Sequence, residues 1–109
     1  MFTIADEPTF THDVEALVPV DGGHEKQTFK ATFRVVSPDE LEQYNLNETI
    51  SSAEFLKRVV VKLHDIGDAE GNAMEWSDRV FEQVLKLPYA RGALARAYFS
   101  AMTKAKSGN

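Results

Sequence analysis

The sequence predicts an α+β fold: an N-terminal antiparallel β-hairpin packed with three to four α-helices, the last two at the C-terminal end. Three observations predict it. Residues 28–35 alternate cleanly, with Phe29, Ala31, Phe33 and Val35 against Thr28, Lys30, Thr32 and Arg34, the period of a strand with one wet face. From Ser37 onward the apolar spacing changes to three and four residues, the period of helices packed on one side. The chain has 109 residues, 43% hydrophobic and 27% charged, with no internal repeat and no linker, which is material for one domain with one modest core.

The first strand lies in "FTHDVEALVPV", where Val14, Ala16 and Val18 share a side and Asp13 and Glu15 take the other. "PVDGGHEK" follows with proline, Asp-Gly and Gly-Gly, so a hairpin loop longer than two residues is expected before the second strand. "SPDELEQY" starts a helix, with Ser37 as cap, Pro38 at the first helical position and Glu40 placed to close a capping box.

"SSAEFLKRVVVKLHDI" reads two ways. Ser51 and Glu54 form a second capping-box pattern, and Phe55, Leu56, Val59, Val60 and Leu63 sit at helical spacing. Val59, Val60 and Val61 are consecutive β-branched residues, which favour a strand. The expectation is a helix to about residue 60, then a second short hairpin near residues 61–76 turning at "GDAEGN". Ser77 then caps a helix with Val80, Phe81, Val84 and Leu85 on one side, preceded by Trp76 as a hydrophobic staple onto Phe81. Pro88 ends that helix and opens the next. Residues 1–9 and 105–109 are polar or turn-prone and are expected to be flexible ends of the single domain 1–109.

Charge and composition exclude several function classes. The net charge is −5, and the acids concentrate in residues 1–50, where ten of them face three bases. That sum opposes binding to a phosphate backbone, so no nucleic-acid partner is expected. The absence of cysteine removes disulfides, thiolate metal sites and cysteine nucleophiles together. The N-terminal stretch carries acids and no apolar run, and no segment approaches the roughly 18 apolar residues of a membrane span, so a cytoplasmic protein without membrane contact is expected.

Sites for chemistry are missing as well. "DAEGN" resembles the start of a calcium loop, but Ala73 stands where that loop turns on glycine and Arg79 where it ends on glutamate. His12, His24 and His64 lie far apart, without metal-ligand spacing. No nucleophile elbow, phosphate loop or dinucleotide fingerprint is present. The expectation is a protein that is not an enzyme and uses no cofactor or metal.

The C-terminal helix carries the remaining signal. On a helical wheel Ala90, Leu94, Ala97, Tyr98, Ala101 and Ala105 form one stripe, and Ala95, Phe99 and Met102 widen the apolar arc to roughly 200°, about twice what a surface helix needs. Either its own chain covers this helix on both sides, or part of the arc meets a partner. Aromatic, methionine and arginine side chains together match interface composition, so the partner-binding candidates are Tyr89, Arg91, Leu94, Tyr98, Phe99 and Met102.

The order of elements, with "GNAMEWS" before the penultimate helix and "LPYARGALARAYFSAMTKAKSGN" at the end, resembles the tail assembly chaperones of long-tailed phages and prophages. The matching positions are Trp76, Ser77, Leu87, Pro88, Leu94, Ala97, Tyr98, Gly108 and Asn109, and the likeness covers residues 71–109, with the first half matching in architecture alone. The resemblance implies a non-catalytic protein of the bacterial host cytoplasm. Such a protein coats the long, aggregation-prone tape measure protein until tail tube subunits polymerise around it, and is absent from the mature virion. It makes the tape measure protein the expected partner, with tail tube protein and self-association as further candidates. The alternatives are a structural component that stays in the virion, or a small bacterial adaptor or inhibitor that binds one folded partner.

Overall fold

The computed structural model describes residues 1–103. Their order is β1 (Thr9–Val20), β2 (Gly23–Arg34), α1 (Pro38–Leu41), α2 (Thr49–Val59), β3 (Val60–His64), α3 (Asp78–Leu85) and α4 (Pro88–Thr103). The fold is α+β. β1, β2 and β3 form one antiparallel sheet in that order, and the longer helices cover one face of it. Ala105 and the expected flexible residues 105–109 lie outside the described residues, as do Gly108 and Asn109.

β1 and β2 pair in unbroken register from Thr9↔Arg34 to Val20↔Gly23. The connection is therefore the two residues Asp21 and Gly22, shorter than the sequence suggests, with Gly22 at φ 81°. The strands run through "PV" and "GH" because β1 is a sheet edge, where Pro19 costs no ladder hydrogen bond. At the other end Glu7, Pro8 and Thr9 belong to the fold. Pro8 C=O accepts from Val35 N–H at 2.8 Å, and Glu7 pairs with Arg58 at 2.5 Å.

Alternation sorts the sheet into two faces. Val14, Ala16, Phe29, Ala31, Phe33 and Leu63 are buried against the helices. The outer face is mainly polar, with Leu17 exposed toward the hairpin end: Asp13 sits opposite Lys30 with an ion pair at 3.3 Å, and Thr32 Oγ1 hydrogen-bonds both Thr11 Oγ1 (2.7 Å) and His64 Nε2 (2.9 Å).

Ser37 caps α1 as expected, its Oγ accepting from Glu40 N–H at 3.2 Å. The Glu40 carboxylate turns instead to Arg58, at the end of α2. α2 begins at Thr49, ahead of the anticipated Ser51 cap, and its N-cap Glu48 makes no side-chain capping bond. Ser51 Oγ accepts from Asn45 N–H at 2.7 Å, so it secures the preceding loop rather than the helix.

The valine run decides the next step. α2 stops at Val59, Arg34 donates to the Arg58 carbonyl at 2.6 Å, and the chain enters β3. Val60 pairs with Phe33 and Lys62 with Thr32, leaving Val61 as a bulge. The expected second hairpin is thus divided: Val60–His64 joins β2 as the third strand, and Ile66–Met74 closes as a tight loop with one bridge, Gly67↔Ala73. All five apolar residues that fit a helical period are buried nonetheless, Phe55, Leu56 and Val59 from the helix and Val60 and Leu63 from the strand.

Ser77 caps α3 through Val80 N–H at 3.1 Å, and Trp76 packs on Phe81 with ring centroids 5.4 Å apart, the staple geometry. α4 follows at once from Pro88 and lies along the inner face of β1, flanked by α2 and α3.

Candidate partner-binding surface

The six residues on the wide arc of α4 separate once the helix is seated. Leu94 and Tyr98 are 0% exposed. They are the pivot of the core and offer no surface to a partner. Tyr98 touches Phe10, Phe33, Phe55 and Phe99 with ring centroids between 5.3 and 6.2 Å, and its hydroxyl accepts from Val36 N–H at 3.2 Å. The alanines Ala90 and Ala93 are buried beside it, small enough for α4 to approach the sheet closely.

The other four point three ways. Tyr89 is half-buried beside Val18, Ile66 and Leu87 at the opposite flank of the helix. Arg91 turns to α2, where its guanidinium donates to the Thr49 carbonyl and the Ser52 hydroxyl. Phe99 is half-buried and stacks on Phe55, with centroids 5.5 Å apart and planes 8° from parallel. Met102 is 41% exposed.

Between α2 and α4 an open groove of about 500 Å3 remains, lined by Leu46, Ser52, Phe55, Leu56, Arg91 and Ala95 among others. Leu46, part of that lining, is 42% exposed, and Ile50, at the start of α2 but outside the lining, is 76% exposed. The structure therefore brings Arg91 and Ala95 to one groove with Phe55, stacks Phe99 on Phe55 outside that lining, and leaves Tyr89 apart from it.

Sequence reasoning missed the opposite wall of this groove. Thr49 precedes the false Ser51 cap and so falls outside the helix that pattern suggests, and Leu46 lies in a loop with no periodicity. The available signal was composition alone: a large apolar residue, Leu46, in a stretch rich in asparagine, threonine and serine.

The charged groups form a separate cluster at the far end of the sheet. Arg58 bonds Glu40 and Glu7, and Arg34 lies 4.0 Å from Glu7. The hydrogen bond from Arg58, reinforced by its charge, holds the Glu7 carboxyl below the usual carboxylate range, and the Glu40 and Glu7 carboxylates raise Arg58 further above its ordinary value. This cluster joins the N-terminal segment, α1 and α2, and acts as a structural tie.

Among the described residues no group of three or more histidine, aspartate or glutamate side chains could hold a metal ion. Asp68 spends its carboxylate on its own loop, accepting from the Glu70 and Asn72 amides at 3.0 and 2.9 Å. No described helix is long and apolar enough to cross a membrane.

No family model, curated protein or solved structure matches the chain. The groove and its chemistry therefore carry the functional reading.

Proposed function

We propose that this chain is a phage or prophage tail assembly chaperone, a non-catalytic protein of the host cytoplasm that binds the tape measure protein and keeps it soluble during tail morphogenesis. The observation that carries the reading is the mainly apolar groove between α2 and α4, with Leu46 exposed in its lining and Phe99 and Met102 further along α4. An amphipathic helix is a natural occupant of a groove between two helices, its apolar face anchored at positions three and four apart. Arg91 and Lys86 in the lining offer cations for an acidic side chain or a carbonyl of that helix. The net charge of −5 supports the role too, because a coat of like-charged copies repels other coated chains and stays dispersed.

Co-expression with the tape measure protein from the neighbouring locus, followed by pull-down and light scattering of the soluble fraction, tests the proposal. The expected result is a soluble complex with many copies of this chain per partner, lost in the Leu46→Glu variant. A tape measure protein that stays insoluble while this chain elutes alone overturns it.

A further inference from the structure

The sheet has two free edges. β1 and β3 each pair with β2 on one side, and no described strand pairs with the other side of either. Open edges are pairing templates that soluble proteins normally blunt, and here no described strand occupies either. A groove of about 460 Å3 runs between β1 and α4, lined by Asp13, Glu15, Ala93, Arg96 and Ala97, and one of about 410 Å3 runs beside β3, lined by Lys57, Val61, Trp76, Phe81 and Glu82. Within the second groove Lys57 and Glu82 pair with each other at 2.8 Å.

The outer faces of the two edges differ in sign. β1 presents Asp13 and Glu15 there, and β3 presents Lys62 and His64. Asp13 is engaged by Lys30 across the sheet, whereas Glu15 sits opposite Thr28 and Lys62 opposite Thr32, so neither of these two has a charged neighbour directly across its ladder. Pairing like edges from two copies places carboxylate against carboxylate along β1, or cation against cation along β3, which is destabilising. Pairing unlike edges places Lys62 beside Glu15.

We propose that β3 of one copy adds to β1 of the next, so that copies of this chain associate head to tail through a continuous sheet. The two edge strands run in the same direction, because both are antiparallel to β2. With the outer faces of both copies on one side, as the Lys62–Glu15 contact requires, the new contact is therefore parallel and heterologous, and it leaves one edge of each sign free at the ends of any open assembly. Such a contact closes into a ring or continues as a filament according to the rotation between copies. The five residues of β3 give about 17 Å of paired edge, which suits a weak, salt-sensitive contact better than a permanent one. This inference stands apart from the chaperone reading, since it uses the sheet edges and not the α2/α4 groove.

Sedimentation velocity of the full chain across a wide range of protein concentration, at low and high NaCl, tests it. The expected wild-type result is assembly beyond the dimer that grows with concentration and recedes with salt. Lys62→Glu and Glu15→Lys should each raise the concentration needed for assembly by about tenfold, with melting temperatures unchanged. The double variant, Lys62→Glu with Glu15→Lys, should restore assembly, and so should an equimolar mixture of the two single variants. A wild-type protein that is monomeric at every concentration overturns the proposal. So does one that stops at a dimer, or one whose assembly ignores both single substitutions.

Discussion

The hydroxyl of Tyr98 accepts the Val36 amide at 3.2 Å, joining the last helix to the residue just past β2 across 62 positions of sequence. Both residues are buried, so that single bond satisfies a backbone donor that no strand or helix reaches. It also explains why the pivot of an aromatic core is a tyrosine and not a phenylalanine.

Tyr98→Phe should therefore destabilise the fold by about 1–3 kcal/mol despite keeping the ring, because it strands the Val36 N–H away from water. A lower urea midpoint at an unchanged denaturant slope is the expected reading. An unchanged midpoint would remove this bond from the account of the core.

The two serines that look like helix caps should behave differently. Ser77→Ala removes the acceptor of Val80 N–H and should cost about 1 kcal/mol. Ser51→Ala frees only an exposed loop amide, with water at hand to replace it, and should cost less than about 0.5 kcal/mol. Thermal melts of the two variants side by side check the assignment.

Stability should fall in acid partly through Glu7. Its carboxyl is held below the ordinary value of 4.5, so it binds protons less readily folded than unfolded. Its contribution is complete above that value and disappears as pH falls through and below it. Urea midpoints of the wild type and Glu7→Gln, measured at descending pH, should differ most above pH 4.5 and converge below it.

Phe99 and Met102 separate packing from binding. Phe99→Ser removes the stack on Phe55 and should cost about 1–3 kcal/mol, less than a fully buried phenylalanine because one side already meets solvent. Met102→Glu should leave the melting curve within about 0.5 kcal/mol of wild type. Under the chaperone reading both variants should capture less tape measure protein in a pull-down, and the Met102→Glu result is the one free of folding effects.

The fold was legible wherever a local rule and the tertiary environment agreed. Ser37 with Pro38, and Ser77 with Trp76, fix their helix starts by short-range bonds, and the structure has both. Ser51 obeyed the same rule and misled, because its hydroxyl found the Asn45 amide first and the helix began earlier. The valine run gave a correct warning of a strand. Its partner was hidden, since pairing with β2 rather than with residues beyond the turn depends on contacts some thirty positions away. The wide arc of α4 was visible as well, but a wheel shows how much of a helix is apolar and not what covers each part. Tyr98 went to the core, Arg91 to the loop side of α2 and Met102 to solvent. Leu46, which completes the groove, has no periodic signature at all.

The aromatic cluster around Tyr98 also sets an order in time. It draws Phe10 from the first strand, Phe33 from the second and Phe55 from the second helix onto a ring carried by the last one. During synthesis the hairpin is made before α4, and the part of its apolar face that α4 covers waits until that helix has left the ribosome. Any lesion that truncates or delays α4 thus exposes that face of the sheet, and should be seen first as aggregation of nascent chains, before any loss of binding by finished ones.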